Sequence, residues 1–428
     1  GRLAKTRKRS AILPLRMTRV LIIGYVWPEP DSSAAGSRMM QLIRLFLGQG
    51  WPVTFASAAA KSSHMADIEA LGVTRADIAL NTTSFDEFVV QLQPDLVLFD
   101  RFMIEEQFGW RVAQQCPDAL RILDTEDLHC LRAARHEAMK SGHEVTAREL
   151  NSELAMREVA AILRCDLSLM ISQFEIELLQ EHYGVSADLL WHLPFMLPPV
   201  TDEDLTSYEE RQGYISIGNF RHAPNWDAVL YLKHTIWPLI RKRQPDAHLD
   251  VSGAYPPPKA TRLDDERQGF HVRGWADDAH RVMSHARVCL APLRFGAGLK
   301  GKLADAMRCG TPNVTTGIGA EAMHAARPWS GVIAENPEDY ARSAVALYRS
   351  EVEWRQAQAN GVRIINTLYD GARLGERLLR RFADLQADLA GHRLNNFAGA
   401  MLRHHTLQSS RYMAQWIEAK NRNKRGGA

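Results

Sequence analysis

The sequence predicts two consecutive α/β domains, each a doubly wound parallel sheet of the Rossmann type, facing one another across a cleft. Three observations carry this expectation. Short apolar runs alternate with helical patterns along most of the chain. The alternation breaks at a proline-rich segment near residue 195 and then restarts. The length of 428 residues also exceeds what one hydrophobic core usually supports.

The first run, Arg19-Val20-Leu21-Ile22-Ile23-Gly24, is continuous and apolar, as expected of a strand buried on both faces. A loop rich in Pro, Ser and Ala follows from Trp27 to Gly36. A helical pattern then places Met39, Met40, Leu42, Ile43, Leu45, Phe46 and Leu47, and ends at Gly48 and Gly50. Val53–Ala56 is the next strand, so the unit is βαβ and its crossover is right-handed. Asp95–Asp100, Leu120–Asp124 and Leu167–Ile171 continue the strands, separated by helical patterns at Glu105–Gln115 and Leu128–Leu163.

The segment Leu193-Pro194-Phe195-Met196-Leu197-Pro198-Pro199 and the acidic residues after it read as an interdomain linker. Alternation then resumes at Tyr214–Gly218 and proceeds through His248–Gly253, His271–Trp275, Val288–Leu293, Asn313–Thr316 and Val332–Glu335. The expected organisation is a basic extension at 1–18, a first domain at 19–197 and a linker at 198–212. A second domain follows at 213–390, then a helix and basic tail at 391–428. Phe397, Met401, Met413, Trp416 and Ile417 recur at helical spacing in the tail, which predicts a helix folding back over a domain seam.

Charge is segregated. Residues 1–19 hold seven Lys/Arg and no acid, residues 411–428 hold five against one, and the body between has 40 basic and 49 acidic residues. An acidic body argues against nucleic acid as a partner. The basic ends suit a peripheral contact with anionic lipid, or are solvated termini. Five scattered cysteines without a C-x-x-C give neither a disulfide framework nor a zinc site, and point to a reducing, cytoplasmic compartment. No apolar run approaches a bilayer span.

Three glycine-containing loops follow predicted strands at the carboxyl edge, where backbone N–H groups and a helix dipole meet an anion. The first runs from Gly24 to Gly36 and is not G-x-G-x-x-G, which argues against a nicotinamide or flavin dinucleotide. The second is Gly218-Asn219-Phe220-Arg221-His222-Ala223-Pro224-Asn225-Trp226, in which Arg221 can fork onto a phosphate. The third is Arg294-Phe295-Gly296-Ala297-Gly298-Leu299-Lys300-Gly301-Lys302-Leu303-Ala304-Asp305. Its glycines let backbone approach a ligand, and its cations would neutralise a diphosphate and stabilise it as a leaving group. Asp305, three residues after Lys302 on the same helix face, can accept from ribose hydroxyls. A fourth group, Asp124-Thr125-Glu126-Asp127-Leu128-His129, follows a first-half strand and faces the cleft or caps a helix.

Taken together, GNFRHAPNWDAV (218–229), PLRFGAGLKGKLADAM (292–307) and Gly310–Glu321 resemble the donor half of family 4 retaining glycosyltransferases of the GT-B fold. The resemblance spans roughly 210–345 and extends more loosely over 19–195. It implies a nucleotide-diphosphate sugar as donor, no other cofactor, no obligatory metal, and a glycan, lipid-linked or protein acceptor at the inner membrane face or in the cytoplasm. Lys302 resembles the diphosphate-binding lysine and Asp305 the ribose-binding acid. Gly319, Ala320 and Glu321 resemble the loop near sugar or phosphates, and Gly36 the N-terminal glycine facing the diphosphate. The remaining donor contacts fall on Gly218, Asn219, Arg221, Arg294, Gly296, Gly298, Leu299 and Lys300. Asp127 or His129 matches the position of the polar residue that touches the transferred sugar, and Arg221 and Lys302 complete the expected catalytic set. The pattern departs at Ala297, where an acid is expected, at Asn219 in place of arginine, and at Pro224 in place of lysine. A sugar-nucleotide epimerase of the same fold and a non-catalytic binding module are the competing readings.

Overall fold

The computed structural model describes residues 17–425, so most of the predicted basic extension lies outside the described residues. Two parallel sheets form as the alternation requires. In the first half, β1 (Val20–Gly24), β2 (Val53–Ser57), β3 (Thr74–Asp77), β4 (Leu96–Asp100), β5 (Leu120–Asp124), β6 (Leu167–Met170) and β7 (Leu190–His192) take the order β3-β2-β1-β4-β5-β6-β7. In the second, β8 (Tyr214–Ile217), β9 (Leu249–Ser252), β10 (Phe270–Gly274), β11 (Val288–Ala291), β12 (Asn313–Thr315) and β13 (Gly331–Ile333) take the order β10-β9-β8-β11-β12-β13. Every strand pairing is parallel, and β1, β2, β4, β5 and β6 are buried along their whole length.

The strand order reverses beside β1 and beside β8. The crevices opened there lie outside the carboxyl ends of the strands, where ligands bind in such sheets. The predicted strands therefore aim the four loops read from the sequence at one shared cleft.

The edge strands β3 and β7 carry no apolar run, being TRAD and LWH, and the sequence does not signal them. Leu128–Leu163 is three helices, His129–Ser141, Ala147–Leu150 and Glu153–Arg164, because Gly142 in the left-handed region and a Thr146–Glu149 capping box divide it.

The largest departure is the return of the chain. The helix Gly371–Ala387, predicted within the second domain at 213–390, packs into the core of the first. Leu374, Leu378, Leu379, Phe382 and Leu385 are buried among Val20, Ile22, Met39 and Phe46. Apolar spacing identifies a buried face and is blind to which core receives it. The last helix, Phe397–Arg425, lies on the helices Phe102–Gln115 and Glu153–Arg164 of the first half. It does not cover a seam as predicted, for Phe397, Met401, Met413 and Trp416 point to solvent at 78%, 48%, 59% and 59% exposure. No helix among the described residues is long and apolar enough to cross a membrane.

The Phe382 ring is tilted against that of Phe46, with centroids 6.3 Å apart and no exposure, so it ties the C-terminal return to the first half. Phe382→Ala should lower stability by about 3–5 kcal/mol through lost transfer energy and a residual cavity. Urea denaturation followed by tryptophan fluorescence measures it, and a loss confined to the second half would contradict the assignment.

Candidate functional site

The third glycine loop leaves β11 and enters the helix Gly301–Arg308, and it is buried from Phe295 to Lys300. The burial comes from the other half of the chain. Phe295 stacks on His136 with ring centroids 4.2 Å apart, and Ala297 packs within the first-half core cluster. Arg135 donates to the Gly296 carbonyl at 2.9 Å, and Glu175 accepts from the Gly298 N–H at 2.7 Å. Gly298 has φ +66°, and a Cβ there would lie 2.9 Å from the Asp127 Cβ, so only glycine fits both the turn and the seam. Leu299 joins Ile171 and Phe195 in a cluster that bridges the halves.

The loop cations divide in role. Lys300 donates to the carbonyls of Ala297 at 3.3 Å and Gly298 at 2.8 Å, bracing the loop from beneath. Arg294 points away from the cleft, paired with Asp227 at 2.9 Å and stacked over Tyr231. Lys302 alone is left free: it makes no hydrogen bond or ion pair with another described residue. A Cβ at Gly218 would lie 2.9 Å from its Nζ, so the two loops touch there. Desolvation lowers the pKa of both lysines to about 8, and their mutual repulsion adds to it at Lys302.

The second loop folds on itself. Asn219 Oδ1 accepts from the Arg221 N–H at 2.9 Å, and Asn225 donates to the Asn219 carbonyl at 3.0 Å. Arg221 lies 3.7 Å over the ring of Tyr255, exposed at the rim. His222 keeps an exposed edge, yet desolvation draws its pKa down to about 4, with Arg132, Lys302 and Lys300 reinforcing and Asp127 opposing.

From the first half, Asp127 is paired with Arg132, and this cation with His129 and His222 outweighs burial and holds its pKa low. His129 starts its helix with Nδ1 3.2 Å from Glu158 and 3.8 Å from Asp127. Gly36 lies in the first turn of the helix Ala34–Gly48, its N–H donating to Ser33 at 3.1 Å. Ala34 beside it contacts Gly301, so the N-terminal ends of two helices from opposite halves converge.

Glu321 faces Arg135 in a two-pronged pair at 2.9 and 2.7 Å, with side chains only 17% and 11% exposed. Gly319 donates to Thr316, and Ala320 is buried beneath it. Asp305 turns aside, 3.5 Å from His280 and 3.7 Å from Arg308, on the outer side of its helix. The structure thus gathers Gly36, Asp127, His129, Gly218, His222, Gly296, Gly298, Lys300, Lys302 and Glu321 about one cleft. Arg294 and Asp305 are engaged by neighbours outside it.

Arg135, Glu175 and Tyr255 are cleft residues that the sequence does not mark, and His222, inside the second glycine loop, is given no role by it. Tyr255 follows β9 and donates across the cleft to Glu29 at 2.9 Å. Arg132 and Arg135, three apart on one helix face, are the only visible signal for this group. Among the described residues no group of three or more His, Cys, Asp or Glu side chains is arranged to hold a metal ion.

Because the Arg135–Glu321 pair is largely desolvated, removing one partner leaves the other charge buried without compensation. Arg135→Ala should remove about 1–3 kcal/mol of seam stability. Hydrogen–deuterium exchange of residues 294–300 should rise severalfold, and unchanged protection would show that the pair does not hold the loop.

Residues 211–350 match the family model described as glycosyl transferases group 1. No curated protein matches the chain. Among solved structures, a TarM mutant of S. aureus in complex with fondaparinux, alpha-GlcNAc-glycerol and UDP has a TM-score of 0.66 at 8% identity, covering 86% of this chain and 100% of that one. Sucrose-phosphate synthase from Thermosynechococcus elongatus has a TM-score of 0.64 at 14% identity, with 86% and 99% covered. Anabaena HepE in complex with UDP and glucose has a TM-score of 0.62 at 11% identity, again with 86% and 99% covered. These likenesses show a shared GT-B fold of two parallel-sheet halves.

Proposed function

We propose that this protein is a glycosyltransferase that takes a nucleotide-diphosphate sugar in its second half and moves the sugar to an acceptor in the first. One observation carries the reading: an unpaired, desolvated Lys302 ammonium between two glycine loops, inside the segment that matches the glycosyl transferases group 1 model. TarM, with UDP and alpha-GlcNAc-glycerol, and HepE, with UDP and glucose, offer precedent for donor and acceptor chemistry in this fold.

In this reading Lys302 and the Gly218 and Gly296 backbones meet the diphosphate, and no metal ion is needed. Transfer proceeds with retention: the bond from sugar to leaving phosphate breaks as the acceptor oxygen bonds on the same face. The acceptor's proton passes to the leaving phosphate oxygen. Lys302 stabilises the charge that develops there, while Asp127, His129 and Arg221 orient sugar and acceptor. Asp305 reaches a ribose only if it leaves His280 and Arg308. The acceptor is a glycan, a lipid-linked sugar or a protein, met in the cytoplasm or at the inner membrane face with help from the basic termini.

Thermal-shift titration with UDP, GDP, ADP and dTDP tests the donor site. Binding at a hundredfold excess over Kd stabilises by roughly 2.7 kcal/mol, and no response to any of the four would sink the proposal. Binding without transfer or hydrolysis would identify a non-catalytic module, and epimerised donor an epimerase.

Lys302→Ala should abolish nucleotide stabilisation and leave the ligand-free melting temperature nearly unchanged. With both lysines near pKa 8, affinity is fully present below that pH. Above it the phosphate must bind an amine that has lost its proton, so affinity should fall from pH 8 upward. A flat profile to pH 9.5, read by calorimetry at about pH 6 to 9.5, would contradict the role of the ammonium.

A further inference from the structure

Glu175 belongs to the helix Gln173–Glu181 after β6 and has no exposed surface. One oxygen accepts from two N–H groups, Leu128 at 3.1 Å on its own half and Gly298 at 2.7 Å on the other. Among the described residues, the second oxygen is buried without a hydrogen-bond partner and no cation pairs with the carboxyl. Such a group is costly to leave beneath a seam unless the seam depends on it.

Its surroundings define what it holds. The Ala297–Gly298 peptide is gripped from both sides, its N–H by Glu175 at 2.7 Å and its Ala297 carbonyl by Lys300 at 3.3 Å, and Lys300 also donates to the next carbonyl, that of Gly298. The same glycine abuts Asp127 and Ile171, so the peptide cannot rotate without opening the cleft. The Gly298 N–H is thereby committed to protein and is unavailable to a phosphate.

We propose that Glu175 is a positioning residue: from the first half it fixes the Gly298 peptide of the donor loop, so that loop shape and cleft closure form one event. This rests on the donor-site reading above and extends it to a residue that touches neither donor nor acceptor. The charged groups facing Glu175 are Asp127 from the loop after β5, Glu158 from the helix Glu153–Arg164 and Lys300 from the donor loop. Burial, then Asp127, pushes the carboxyl up to about 8, against the two N–H bonds that lower it. The closed state therefore keeps Glu175 protonated at neutral pH; its contribution to closure is fully present below the ordinary glutamate value of 4.5 and is lost progressively as pH rises to about 8.

The test uses the full chain with Glu175→Gln, Glu175→Ala and Glu175→Met. Two readouts apply: small-angle X-ray scattering without ligand, and titration with UDP, GDP, ADP and dTDP. Glu175→Gln should match the wild type in radius of gyration and bind nucleotide within about threefold, since its amide oxygen still accepts from Gly298. Glu175→Ala should widen the particle and weaken nucleotide binding by about tenfold or more. Glu175→Met, which keeps the volume without an acceptor, should do the same if the alanine variant does not fold. An alanine or methionine variant as compact and as tight-binding as wild type overturns the proposal. A glutamine variant as defective as alanine overturns it in favour of a direct carboxylate contact with ligand. Progressive opening of the wild type between the ordinary glutamate value of 4.5 and about 8 that glutamine abolishes supports the protonation argument; opening that glutamine retains overturns that part. If the wild type binds none of the four nucleotides, the donor-site reading fails, while the scattering comparison still decides the role of Glu175.

Discussion

The seam hydrogen bond between Glu175 and the Gly298 N–H governs the rest of this molecule's working surface. A loop with three glycines in six residues has high conformational entropy and few side chains with which to hold one shape. Here its order comes from outside: His136 under Phe295, Arg135 on the Gly296 carbonyl, Glu175 on Gly298, and a first-half core around Ala297. A pocket formed in this way exists only when the halves meet. The placement of the two halves therefore sets the shape of the loop itself.

The same constraint sorts the cations. Three positive side chains in one short loop would repel if all pointed at an empty cleft. Arg294 is drawn off to Asp227, Lys300 is turned onto backbone carbonyls, and Lys302 alone of the three has no hydrogen bond or ion pair among the described residues. Opposite it, Arg135 neutralises Glu321 and Arg132 neutralises Asp127. In the proposed reading, Lys302 and the rim cation Arg221, which lies over Tyr255, are the charges left to meet an anion.

The parallel-sheet alternation was legible because buried parallel strands read as continuous apolar runs, and its start and its one restart lie where the two sheets begin. The edge strands β3 and β7 were not, since a three- or four-residue edge segment needs no apolar signature. The helix Gly371–Ala387 shows a different blindness: its stripe of leucines says that it is buried, yet it crosses back to the first core. At the site, the glycine loops declared themselves through residues that backbone geometry demands. Glu175, with a helical context and no neighbour in sequence that marks it, did not.

The sequence by itself determined the two βα repeats, the hinge between them, and the loops that end at strand carboxyl edges. Those features rest on local periodicity and on glycine's backbone freedom, which adjacent residues encode. Only the tertiary structure decided which cation stays free, where Glu321 and Asp305 turn, and that a first-half carboxyl holds a second-half loop. Glu321 and Glu175 meet partners more than a hundred residues away, Arg294 meets Asp227 across 67 residues, and Asp305 meets His280 on a neighbouring helix. Burial raises such contacts above the strength that water would leave them.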